Sequence, residues 1–107
     1  MAKLEGPGAS LVVTEPSLGH LSVILTGEYD FATVRELAAD LEALLERDAE
    51  SVVIDMSGLK FMDTSGVAVL LRIANRFGTL EVGGAKPLIQ RTIRALGLSE
   101  RLRIRAD

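Results

Sequence analysis

The 107-residue sequence has no cysteine, no tryptophan, a single histidine and only three prolines. Without cysteine there are no disulfides, no thiolate metal ligands and no cysteine nucleophile. One histidine, His20, does not build a multi-histidine metal centre within one chain. Aromatic residues make up 4% of the chain, too few for the stacking platforms that single-stranded nucleic acids use. No apolar run approaches the roughly 20 residues that a membrane span requires. The first ten residues, "MAKLEGPGAS", lack the apolar core of a secretory signal, so a cytoplasmic location and no membrane insertion are expected.

What is present suits one packed domain: 48% hydrophobic and 25% charged residues, with a net charge of −3. Charge is unevenly distributed. Met1 to Ala85 holds 6 basic and 13 acidic residues, whereas Lys86 to Asp107 holds 6 basic and 2 acidic ones. The basic end falls on a predicted helix and its exit, where cations complement the helix dipole, so direct DNA binding is not expected.

Residues 1–10 read as a loose Gly/Pro-containing arm before a single domain over 11–107. "LVVT" (11–14) and "HLSVILTG" (20–27) read as strands joined by "EPSLG", with Leu21, Val23 and Leu25 on the better-buried face. Asp30 then caps an amphipathic helix whose core stripe is Phe31, Val34, Leu37, Leu41, Leu44 and Leu45. "SVVID" (51–55) is a short buried strand, and "MSGLKFM" a loop leading to a second helix that starts near Gly66 and ends at Gly78. On that helix Val67, Leu70, Leu71, Ala74 and Phe77 form the inner stripe, and Val69 and Ile73 lie off it. "TLEVGG" (79–84) is a further strand, and Pro87 opens a third helix that ends at Gly97-Leu98. The last residues, "ERLRIRAD", offer a short edge strand or a final turn. Strands alternating with helices require crossovers. The expected fold is therefore α/β, a mixed sheet of four to five strands in the order β-β-α-β-α-β-α.

Catalytic patterns are weak. Thr64 and Ser65 have no G-x-S-x-G elbow and no histidine base nearby in sequence, and "GGAKP" (83–87) lacks the spacing of a phosphate-binding loop. No enzymatic activity, catalytic residue, cofactor or metal is expected. The distinctive stretch is "FMDTSGVAVLL" (61–71), where Asp63, Thr64 and Ser65 are three candidate caps in succession at the start of one helix. One cap suffices, and a helix N-terminus also welcomes a phosphate.

"VVIDMSGLKFMDTSGVAVLL" resembles the signature of STAS domains, in particular the small bacterial anti-sigma factor antagonists. The shared features are Asp55, Ser57, the Phe61-Met62-Asp63 approach and the hydroxyl pair before Gly66. "LTGEYDFATVREL" matches a second signature through Gly27, Glu28 and Asp30, and "RTIRALGLSERLRI" resembles the family's terminal helix. The resemblance spans about Leu11 to Ile104. It implies an antagonist that binds an anti-sigma factor, itself a serine/threonine protein kinase, and so releases a sigma factor for transcription under stress. The kinase then phosphorylates the residue after the signature aspartate, here Thr64 with Ser65 as the fallback, and a PP2C-type phosphatase reverses the modification. The resemblance places Glu28, Asp30, Asp63, Thr64, Ser65 and Gly66 at the partner surface; the helix pattern adds Val69 and Ile73 as exposed apolar contacts, and Lys60 and Arg72 read either as charged rim contacts or as a solvated surface. A constitutive STAS scaffold subunit, for example of a lipid-transport complex, is the competing reading, in which Thr64 is an interface contact that is never modified.

Overall fold

The computed structural model describes residues 8–105. Nine elements follow one another: β1 (Ala9–Ser17), β2 (His20–Tyr29), α1 (Phe31–Glu36), α2 (Ala38–Leu45), β3 (Ser51–Met62), α3 (Thr64–Phe77), β4 (Leu80–Gly83), α4 (Pro87–Ala95) and β5 (Leu102–Ile104). They form one five-stranded sheet in the order β1-β2-β3-β4-β5. β1 pairs antiparallel with β2, and every later pair is parallel. Successive parallel strands added on the same side, each through a right-handed crossover, put their helices on one face.

Side-chain burial follows that arrangement. Leu21, Val23, Leu25, Val52, Ile54 and Met56 are buried under the helices, whereas Ser22, Ile24, Thr26, Val53 and Asp55 between them are only half-buried. The alternation is the period-two pattern of strands covered on one side. No buried polar or charged side chain interrupts the core among the described residues. None of their helices is long and apolar enough to cross a membrane.

Five expectations are corrected. Of the arm expected over residues 1–10, positions 1–7 lie outside the described residues, while Ala9 and Ser10 already belong to β1. The turn joining β1 and β2 is only Leu18-Gly19, with Gly19 at φ 81°, so the strands run further than their β-branched cores suggest. The first helix is broken at Leu37, whose φ/ψ of −92°/2° closes α1 and leads into α2. Phe31 leaves its expected core stripe and is 67% exposed, because Leu37 at the break and Leu41 and Leu44 beyond it carry the burial.

The fifth correction bears most on function. "MSGLKFM" is the second half of β3, paired with β2 up to Tyr29↔Met62. The pairing jumps from Ile24↔Asp55 to Thr26↔Gly58 and from Gly27↔Leu59 to Glu28↔Phe61, so β3 carries one extra residue at each of two bulges. Asp55 secures the first bulge: its carboxylate accepts from the Ser57 amide at 2.9 Å and from the Ser57 hydroxyl at 2.5 Å. These two bonds, the hydroxyl first, hold the Asp55 carboxyl below the ordinary carboxylate range.

The ends of β2 and β3 are clasped together. The Asp63 amide donates to the Tyr29 carbonyl at 3.1 Å. Gly66, in the first turn of α3, packs so closely that a Cβ would collide with Met62 Cγ and Tyr29 Cβ. Tyr29 itself is fully buried and donates its hydroxyl to the Ser10 carbonyl at 2.6 Å. Burial, aided by the negative charge of Asp40, raises its pKa and keeps it a neutral phenol. Gly66→Ala is expected to lower the urea midpoint. Overpacking costs about 1–3 kcal/mol, more than the gain in helix propensity of up to about 1 kcal/mol. An unchanged midpoint would mean that the clasp is loose.

Candidate functional site

The site lies where the carboxyl-terminal ends of β2 and β3 deliver two capped helices side by side. On the β2 side, Asp30 caps α1 and accepts from the Thr33 amide at 2.9 Å, while Thr33 Oγ1 accepts from the Asp30 amide at 3.0 Å. The Thr33 hydroxyl also donates to the Glu28 carbonyl at 2.6 Å, so one side chain ties the Glu28–Tyr29 end of β2, which the sequence suggested as a turn, to the helix that follows. The bonds from Thr33, its amide first, hold the Asp30 carboxyl, on a half-buried residue, below its ordinary pKa, so it stays ionised. Thr33 was not among the candidate residues, although D-x-x-T at a helix start is a capping-box spacing that reveals it.

On the β3 side, the three candidate caps separate into distinct roles. Asp63 is the N-cap: its extended backbone (φ −99°, ψ −166°) and its carboxylate, which accepts from the Ser65 amide at 2.7 Å, start α3. Thr64 is the first helical residue. It is exposed, and its hydroxyl makes no side-chain hydrogen bond among the described residues. Ser65 is half-buried, and Gly66 is buried against Tyr29. Capping therefore falls to the carboxylate and leaves the Thr64 hydroxyl uncommitted. Glu28, Asp30, Asp63, Thr64 and Ser65 are brought together through the Glu28↔Phe61 and Tyr29↔Met62 pairs and the Asp63-to-Tyr29 bond.

Val69 and Ile73 are not part of this surface. They are 3% and 0% exposed, against the expectation that both face outward. α3 is flanked by β3 on one side and by α1 and α2 on another, so its buried arc is wide and turns toward these two residues. Leu71, placed on the inner stripe, is only half-buried. The exposed apolar groups near the site are instead Phe31, directly after Asp30, and Phe61 (48% exposed), two residues before Asp63. Arg35 stacks over the Phe31 ring at 5.7 Å. Arg72 leaves the expected rim by pairing with Glu42 of α2 at 2.7 Å. His20, at the opposite end of β2, is exposed and bonds Ser51 Oγ through Nδ1 at 2.6 Å.

Comparison with known proteins gives this arrangement a family. A family model described as "Mlab, STAS domain" matches residues 10–104. The chain belongs to the STAS domain family of anti-sigma factor antagonists. An anti-sigma F factor antagonist from Paenibacillus polymyxa is 33% identical over 85 residues, covering 75% of this chain and 73% of that protein. Among solved structures, an anti-sigma factor antagonist from Mycobacterium paratuberculosis has a TM-score of 0.79 at 22% identity, covering 96% of this chain and 90% of that one. The antagonist SpoIIAA in its unphosphorylated form has a TM-score of 0.71 at 18% identity over 92% of this chain and 90% of that one. Its phosphorylated form, from Bacillus, gives 0.64 at 18% identity over 92% and 93%. At these identities the structural likeness establishes a shared fold.

The division of roles at the α3 start separates two variants by stability. Asp63→Ala is expected to lose about 0.5–2 kcal/mol through the missing cap, and Thr64→Ala to stay within about 0.5 kcal/mol of the parent. Denaturant unfolding measures both; a larger loss for Thr64→Ala would reverse the assignment.

Proposed function

We propose that the chain is a partner-switching antagonist. It binds an anti-sigma factor that is also a serine/threonine kinase, frees the sigma factor for transcription, and is switched off by phosphorylation at Thr64. One observation carries this reading: Thr64 is an exposed hydroxyl at the first position of α3 whose cap is supplied by Asp63. Its modification therefore costs the fold no capping bond. Ser65 is the second acceptor, less accessible and with its amide already held by Asp63. The family relationship supports the same reading through relatives named as anti-sigma factor antagonists, one of which has been solved in a phosphorylated form.

The mechanism acts by contact and requires no chemistry from this chain. Unmodified, the Thr64 hydroxyl, Glu28, Asp30 and the rings of Phe31 and Phe61 form a partner surface on a rigid base. A phosphate adds about −1.5 to −2 charges next to Asp63. The first-turn amides and the dipole of α3 accommodate that charge, so the domain stays folded. The partner, shaped for a small neutral group, meets bulk, hydration and charge instead. A tenfold loss of affinity needs only about 1.4 kcal/mol. A phosphatase of the PP2C type would restore the hydroxyl.

Incubation with the candidate kinase and ATP, followed by mass-spectrometric mapping, is expected to find the phosphate on Thr64. Thr64→Ala should keep kinase binding and accept no phosphate there, and Thr64→Asp should weaken binding at least tenfold. Binding without modification of Thr64 or Ser65 would favour the constitutive scaffold, and equal binding by both variants would refute the charge mechanism.

A further inference from the structure

A cleft of about 300 Å³ opens between the end of β3 and the first turns of α4. Its walls are Lys60 and Phe61 on one side and Lys86, Leu88 and Thr92 on the other, over a floor of Met62 and Ile89. The cleft runs into the site described above along the chain itself, since Phe61 and Met62 lead directly to Asp63 and Thr64. Its charge is opposite to that of the neighbouring surface: two ammonium groups and no carboxylate line it, whereas Glu28, Asp30 and Asp63 stand on the other side of Phe61. Lys86 is fixed in place, its Nζ donating to the Leu59 carbonyl at 3.2 Å and reaching the Ser57 carbonyl at 3.4 Å. The second bulge of β3, at Lys60, is what turns Lys60 and Phe61 outward while Leu59 and Met62 stay buried.

We infer that this cleft is the second half of the partner interface and receives an acidic, apolar-anchored segment of the anti-sigma factor. The inference rests on the reading under Proposed function. Two observations choose this occupant. The lining pairs apolar walls with cationic groups, which complements a segment carrying a large apolar side chain beside a carboxylate. The walls also extend past the cleft itself, Leu88 being 63% exposed and Phe61 48%, so they present a surface that a small ligand inside would leave uncovered. The whole interface is then bipolar, acidic around Glu28 and Asp63 and basic at Lys60 and Lys86, which fixes the direction in which the partner docks.

The test uses the 107-residue chain and the purified anti-sigma factor kinase in calorimetric titrations. Leu88→Asp and Lys60→Glu, both at exposed positions, are compared with Leu18→Asp, an equally radical change at the 91%-exposed Leu18 in the β1–β2 turn. Circular dichroism is expected to show all three folded. Leu88→Asp and Lys60→Glu should each weaken binding at least tenfold, with the Lys60→Glu loss shrinking as salt is raised, while Leu18→Asp binds like the parent. Parent-like binding by both cleft variants overturns this inference and leaves the Thr64 switch standing; failure of the parent chain to bind the kinase overturns both. If the cleft variants bind the kinase normally but abolish a self-association of the chain, the occupant is a second copy and the inference is wrong.

Discussion

The close approach of Gly66 to Tyr29 is the constraint on which the site depends. With no side chain at Gly66, the first turn of α3 can rest on the end of β2, and the Asp63 amide reaches the Tyr29 carbonyl. Tyr29 in turn is held from the other side by its hydroxyl bond to Ser10 of β1. Three strands and two helix starts therefore converge on one residue. The end of β2 at Glu28 and Tyr29, the Asp30 cap and the Asp63–Ser65 cap form a single unit, and α3 points its N-terminus outward beside it. A surface built this way is ready before a partner arrives, which suits the proposed role of being bound and released.

Much of this was legible in the sequence, and the misses have identifiable causes. Alternation over Leu21, Val23 and Leu25 announced β2, and Asp30 announced a helix start, because both signals are local. Gly78 and Gly97 marked helix ends correctly, each adopting the positive φ that glycine favours there. The second half of β3 was hidden because its two bulges break the period-two pattern, so Ser57, Gly58, Lys60 and Phe61 read as loop. Val69 and Ile73 were misplaced because a single stripe describes a helix buried on one side. α3 is covered by both the sheet and the first helical pair, and no local pattern records that second layer. Phe31 was drawn into the core by its spacing, yet the break at Leu37 leaves the start of the helix at the surface.

The surplus of caps at residues 63–65 acquires a physical meaning once their roles separate. A carboxylate that caps makes the neighbouring hydroxyl expendable for stability, and a residue expendable for stability is free to carry a signal. The same local geometry serves a phosphate, because helix amides and dipole tolerate the added charge on the free protein while an interface does not. Stability and the proposed switch thus fall on adjacent residues with little competition between them.

The most direct test is a calorimetric titration of the anti-sigma factor with the unmodified chain and with the chain stoichiometrically phosphorylated on Thr64. The account predicts affinity at least tenfold weaker for the phosphorylated form, with an essentially unchanged thermal unfolding profile. Equal affinities for the two forms, or loss of binding accompanied by unfolding of the domain, would contradict it.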